Sequence, residues 1–306
     1  VSNSASRSVS PGNRSNQIRT TLGTYLRLTK PRVIELLLVT TLPAMMLAEQ
    51  GFPDLGLVVA VLVGGALAAG GANTMNCWIE RDRDRIMART RHRPLPSGEI
   101  NAQRALIFGL VLEVLAFGLL WSVANLLAAF LALSATVFYI FVYTIWLKPR
   151  TTQNIVIGGA AGAVPALVGW AAVTGSLALP AWVLFAIVFV WTPPHFWALA
   201  IRYRDDYAAA EIPMLPVTRG PAVAVRHILV YSFVVVAVSL TLPLTITMTV
   251  LYPIVAGVLG AVFIYTAVSL YRDPTPARAI RLFTVSNVYL ALLFAAVAVD
   301  ALLIGS

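Results

Sequence analysis

The chain has 306 residues and a net charge of +9, with 59% of residues apolar and only 11% charged, against roughly 45–50% and 25% in soluble domains. So few charges cannot solvate a soluble protein of this size, and a mean hydropathy of +0.82 agrees; the composition indicates an all-α integral membrane protein. The single cysteine, Cys77, excludes a disulfide framework and a cysteine-based zinc site.

Residues 1–24 carry Arg7, Arg14 and Arg19 among Ser and Asn, with no acidic residue. They lack the apolar core of a secretory signal, and Pro11-Gly12 would break an amphipathic helix. A disordered cytoplasmic tail is expected there, followed by a single transmembrane domain over 25–306. A bilayer core of ~30 Å needs ~20 mostly apolar residues per helix. Nine runs meet this, at about 33–50, 55–78, 105–122, 124–147, 155–175, 180–201, 227–248, 251–271 and 282–304. Those rich in Gly and Ala, such as 61–73 and 157–170, read as helix–helix contacts.

With nine spans and an inside N-terminus, all 22 Lys and Arg fall in the inside segments 1–32, 79–104, 148–154, 202–226 and 272–281. Positive charge in short loops sets orientation, so the C-terminus is expected outside. The basic balance is thereby a topology signal on a lipid bilayer, and nucleic acid is excluded as a partner. Twenty Arg to two Lys suggest a GC-rich bacterial genome, hence a bacterial cell (inner) membrane.

Two inside loops, 79–104 and 202–226, are each about 25 residues long and hold seven of the 13 acidic residues. Connections in compact structures usually run 2–8 residues, so the chemistry is expected here. In NCWIERDRDRIMARTRHRPLPSG (76–98), Asn76, Glu80 and Asp84 recur every fourth residue. On a helix they form one stripe ~12 Å long, a set of hard oxygens suited to magnesium; Asp82 points off it if the helix continues. The same spacing also suits a solvated face of charges pairing among themselves. Downstream, Arg89 and Arg93 stand within reach of such a stripe to grip phosphate oxygens.

In TPPHFWALAIRYRDDYAAAEIPMLP (192–216), Asp205 and Asp206 follow the end of a span, near Tyr203 and Tyr207. Two acidic stations on one membrane face suit a diphosphate clamped through more than one metal. Pro193-Pro194 should bend or open the helix. His195 lies at membrane depth just after them, a functional hypothesis by default that competes with a histidine hydrogen-bonded between helices. Lys148, Arg150 and Asn154 form a fainter polar group. Glu113 sits mid-span without an assigned role, and Glu35 and Asp300 lie near span ends.

The Asn76-x-x-x-Glu80-x-x-x-Asp84 pattern followed by RTRHRPLPSG resembles the first signature of the intramembrane prenyltransferases of the UbiA superfamily. The stretches 30–45, 143–170, 192–216 and 281–294 are similar to the branch of that superfamily that farnesylates haem, and the similarity runs from about Leu26 to Ile304. The resemblance implies a UbiA-type fold of nine transmembrane helices around a central cavity. It implies one magnesium ion (Mg2+) on Asn76, Glu80 and Asp84, with Asp206, and less directly Asp205, at a second station beside Tyr203. The implied reaction transfers the farnesyl group of farnesyl diphosphate to a vinyl group of haem b (protoheme IX), with water addition, giving haem O and diphosphate. Haem is then a substrate rather than a cofactor, and no partner enzyme in haem A synthesis is legible.

Within that reaction, Arg89, Arg93, Lys148 and Arg150 are the expected diphosphate contacts, and His195 and Trp197 the expected haem contacts. Tyr139, Tyr143, Trp170 and Trp197 are located to face an allylic cation. Glu80 departs from the usual Asp of the family, His92 from Asn and Glu211 from Gly. A quinone-precursor acceptor is the alternative within the family. A transporter is the alternative outside it, disfavoured because the acids gather at one face instead of at broken helices near the midplane.

Overall fold

The computed structural model describes residues 21–305, with the side chains of all but 32, 33 and 35–38. Residues 1–20 of the expected tail lie outside the described residues. Helix α1 is described over 21–29, so residues 21–24 of the expected tail are helical.

The described chain is entirely helix and connection. Helix α2 (Pro31–Glu49) is followed by α3 (Leu55–Ile86), α4 (Ala102–Val123) and α5 (Leu126–Val137), which runs on as a π-helix over Phe138–Leu147. Then come α6 (Asn154–Thr174), α7 (Leu179–Arg202), the short α8 (Arg204–Ala209) and α9 (Leu215–Thr218), α10 (Pro221–Thr241), α11 (Leu251–Arg272) and α12 (Pro276–Gly305). Among the described residues eight helices are long and apolar enough to cross a membrane, and α2, 19 residues long, lies over the first expected run, 33–50. The protein is a multi-pass membrane protein.

Boundaries follow local chemistry. Asp54 accepts from the Leu57 amide at 2.9 Å to cap α3, and Asn125 accepts from the Ala128 amide at 2.9 Å to cap α5. Helix α3 outlasts its apolar run by two turns, ending at Ile86 instead of near 78, because its last segment is held by buried polar partners. Helix α10 starts at Pro221, six residues earlier than the apolar pattern indicates, since Pro at the first turn has no amide to leave unsatisfied. It ends correspondingly early, in a 3-10 turn over Leu242–Leu244.

Small residues set helix spacing as expected. A Cβ on Gly71 of α3 would stand 2.8 Å from the Gly109 carbonyl of α4, and one on Gly169 of α6 would stand 2.4 Å from the Thr41 carbonyl of α2. Glu113 lies in the first of these seams, where its Oε1 accepts from Thr136 Oγ1 of α5 at 3.0 Å. Asp300 does not reach a span end toward water. It is fully buried in α12 and accepts from the Thr249 and Tyr252 amides at 2.7 and 3.3 Å, capping α11 from a neighbouring helix. Pro193 and Pro194 do not open α7, which runs through them as one helix.

Candidate active site

The continuation of α3 to Ile86 keeps Asn76, Glu80 and Asp84 on one face, and that face turns inward: they are 1%, 5% and 3% exposed. Asp82 is exposed on the opposite side, paired with Arg85 at 3.3 Å. The alternative of a solvated face therefore describes Asp82 and its arginine neighbours, and not the stripe.

Each stripe residue meets a cation from a different segment. Lys30, in the link between α1 and α2, donates to Asn76 Oδ1 at 2.8 Å. Lys148, at the end of the π-helix, ion-pairs with Glu80 Oε1. Arg93 Nη1 donates to Asp84 Oδ2 at 2.7 Å. Burial pushes the Lys30 ammonium below its usual pKa, and the charges of Arg93 and Lys148 act in the same direction. Burial also works against the Arg93 guanidinium, but Asp84 beside it more than offsets this and the pKa is raised. Two carboxylates facing three cations leave the cluster one positive charge in surplus, an arrangement that receives an anion.

The π-helix is what aligns this wall. A ladder of i→i+5 bonds turns by roughly 82° per residue, against ~100° in an α-helix. Over the nine steps from Tyr139 to Lys148 an α-helix would leave the two on opposite faces, whereas π winding returns them to nearly the same one. Tyr139 and Tyr143 accordingly stack at 5.5 Å and 14°, and the Lys148 ammonium stands 5.8 Å above the Tyr143 ring. Thr144, on the adjoining face, donates to the Tyr139 carbonyl at 2.8 Å and accepts from Asn76 Nδ2 at 3.1 Å. The Tyr143 ring lies so close on α6 that a Cβ on Gly158 would meet it at 2.2 Å.

The second station is less fully assembled. Arg89 stands 5.7 Å over the Tyr203 ring, with Arg202 at 5.9 Å, which joins the two long loops. Asp205 and Asp206 lie in the first turn of α8, Asp205 exposed and Asp206 half-buried. Among the described residues no three His, Cys, Asp or Glu converge to hold a metal. The stripe of Asn76, Glu80 and Asp84 and the pair Asp205 and Asp206 stand on separate elements, α3 and α8. Buried carboxylates need compensating charge, and here Lys148 and Arg93 supply it. The stripe still fits a hard divalent cation, because its donors are all oxygens and Glu80 Oε1, buried and ion-paired, has no aligned hydrogen bond.

Three of the expected residues, Arg150, Trp197 and Trp170, meet neither the stripe nor the tyrosine stack among the described contacts. Arg150 turns away from the stripe, and its Nη1 donates to the Ile145 and Trp146 carbonyls at 2.9 and 3.0 Å, satisfying the end of the π-helix. Trp197 does not share a surface with His195. Two helical steps rotate it by ~200°, and it packs edge-on against His227 and Tyr231 of α10 at 5.8 and 5.5 Å. Trp170 and Trp197 are both buried with indole N–H groups that meet no hydrogen-bond partner among the described residues, and neither joins the Tyr139–Tyr143 stack. His195 faces α12, where Nδ1 lies 2.7 Å from Ser286 Oγ. Sequence reasoning missed Lys30 and Thr144 as site residues; a lysine with no acidic neighbour immediately before Pro31 was the available signal for the first, and nothing marked the second.

The pattern of the UbiA prenyltransferase family matches residues 37–296. Protoheme IX farnesyltransferase 1 of Saccharopolyspora erythraea is 54% identical over 286 residues, covering 92% of this chain and 91% of that protein. The protoheme IX farnesyltransferase of Mycolicibacterium smegmatis is 51% identical over 290 residues, covering 94% of each. Among solved structures, a digeranylgeranylglyceryl phosphate synthase superposes with a TM-score of 0.76 at 20% identity, covering 92% of this chain and 98% of its own. A UbiA homologue from Archaeoglobus fulgidus bound to DMAPP and Mg2+ superposes with a TM-score of 0.63 at 19% identity, covering 90% and 99%.

Proposed function

This chain belongs to the UbiA prenyltransferase family, and on that premise we propose that it transfers the farnesyl group of farnesyl diphosphate to a vinyl group of protoheme IX. Water adds in the same reaction, and the products are haem O and diphosphate. The observation that carries the acceptor is the 54% identity, over more than nine-tenths of the chain, with a relative of that activity. The site carries the donor: three cations around two carboxylates and an amide suit a diphosphate that leaves as an anion.

Asn76, Glu80 and Asp84 would hold one magnesium ion, and Asp206 with Asp205 a second station. Bound there, the metal supplies positive charge that stabilises the departing diphosphate. Lys148 and Arg93, relieved of part of their carboxylate pairing, and Lys30, released from the Asn76 amide oxygen, turn their N–H groups to the phosphate oxygens, and Arg89 approaches from its seat on Tyr203. This fixed positive charge acts where negative charge develops as the C1–O bond breaks, the condition for electrostatic catalysis. The stacked Tyr139 and Tyr143 face the allylic cation and are worth about 0.5–2 kcal/mol each. The haem vinyl carbon closes on that cation, water captures the resulting benzylic-type cation, and the lost proton leaves a hydroxyethylfarnesyl side chain. His195 contacts the haem from α7.

Orientation follows from the basic loops: the N-terminus and the site are cytoplasmic, the C-terminus is outside, and the membrane is the bacterial inner membrane. The 25–306 segment works as one domain. The test is product mass after purified protein is incubated with protoheme IX, farnesyl diphosphate and magnesium, beside a reaction given an aromatic quinone precursor. A mass gain of farnesyl plus hydroxyl on haem is expected, lost with a chelator and restored by added magnesium. Prenylation of the aromatic acid alone would replace the reading.

A further inference from the structure

His195 is held by three residues from two helices, and the arrangement fixes more than its position. Its imidazole is sandwiched between Trp191, centroids 4.2 Å apart and 22° inclined, and Phe283, at 4.5 Å and 28°. Both faces are covered and only the ring edge is available. On one side of that edge Nδ1 lies 2.7 Å from Ser286 Oγ. On the other, Nε2 meets no hydrogen-bond partner among the described residues, although His195 is only half-buried.

Proton counting assigns the tautomer. Ser286 Oγ is also 2.7 Å from the Phe283 carbonyl. A carbonyl cannot donate, and a hydroxyl has one proton. If the hydroxyl turned to Nδ1, the serine and carbonyl oxygens would face each other at 2.7 Å with no proton between them. The hydroxyl therefore donates to the carbonyl, and the short contact to His195 needs its proton from Nδ1. Ser286 cannot drift from this post: it is fully buried, and its own carbonyl accepts from Trp191 Nε1 at 2.9 Å. The same indole thus covers the imidazole and pins the serine that orients it.

We propose that Ser286 is a positioning residue that holds His195 as the Nδ1–H tautomer and presents the Nε2 lone pair as an axial ligand to the iron of the porphyrin acceptor. The inference rests on the haem reading of the function and adds to it the atom that meets the iron and the residue that aims it. A histidine whose second nitrogen donates to a fixed oxygen is the usual arrangement of a ligating imidazole. Removal of such a partner typically lowers metal affinity by about 10–100-fold.

The test titrates full-length protein in detergent with iron protoporphyrin IX and, separately, with metal-free protoporphyrin IX, following the Soret band and the low-spin signature. In S286A, iron-porphyrin affinity is expected to fall by about ten-fold or more and the low-spin signature to weaken, with S286T restoring both. Metal-free porphyrin should bind S286A and wild type alike, and farnesyl diphosphate binding, unchanged, reports an intact fold. Equal losses for both porphyrins would overturn the proposal, since Ser286 would then merely shape a pocket. H195A separates the two layers of the argument. If it keeps the wild-type Soret shift, the placing of haem at His195 fails; if it loses the shift while S286A does not, only the role of Ser286 fails.

Discussion

Replacing Gly158 by alanine probes the tyrosine wall without touching a charged residue. The added Cβ would stand 2.2 Å from Cδ2 of Tyr143 and 2.9 Å from two further ring atoms. Ordinary carbon contact begins near ~3.5 Å, so the ring must retreat by about 1.3 Å, and the obstacle is the ring itself instead of a flexible tip. The stack on Tyr139 and the ammonium of Lys148 over the ring oppose that movement. In stability the change is modest: overpacking costs ~1–3 kcal/mol, and alanine in a helix returns ~1 kcal/mol over glycine. The activity should respond far more, because a displacement of ~1 Å near reacting atoms can cost ~100-fold. Diphosphate release from farnesyl diphosphate and haem, measured beside a thermal melt, should show a ~100-fold lower kcat with Tm lowered by only a few degrees. Gly162, whose added Cβ meets nothing within 4 Å, is the control, and G162A should be indistinguishable from wild type. Near-normal turnover in G158A would refute the assignment of Tyr143 to the wall of the reaction site.

Four further outcomes follow from the ion pairs and caps. Asp84→Asn should reduce kcat by at least ~1000-fold in the diphosphate-release assay with the protein still folded. Asp84→Ala should in addition lower the yield of folded protein, since it leaves the part-buried Arg93 without its carboxylate. Asp82→Ala removes only a surface pair with Arg85, worth ~0–1 kcal/mol; turnover more than three-fold below wild type would place Asp82 in the site after all. Asp300→Ala orphans the Thr249 and Tyr252 amides at the start of α11. A stability loss of ~1–3 kcal/mol per unsatisfied buried group should appear as a lower melting temperature, with activity per folded molecule unchanged.

Much of this protein is written in one dimension. The bilayer demands long apolar runs, and the positive charges partition between them, so a membrane bundle could be read from composition and loop charge alone. A spacing of four keeps Asn76, Glu80 and Asp84 on one face of any helix, because helical rotation is a property of the backbone. The four-residue spacing could not say that this face points inward, since that depends on α3 continuing two turns past its apolar run against partners distant in sequence.

The partners themselves were decided by the tertiary structure. Lys30 and Lys148 stand 46 and 68 residues from the stripe atoms they meet, and only packing brings them there. The winding of Phe138–Leu147 as a π-helix changes which residues share a face, and an apolar aromatic run carries no periodicity that would announce it. Arg150 and Lys148, two residues apart, look interchangeable as basic loop residues, yet one satisfies carbonyls at its own helix end and the other reaches Glu80. Local sequence dictates how a segment turns and how much of it avoids water. Which charge meets which depends on the closure of distant helices, and in a low-dielectric interior those meetings determine the chemistry.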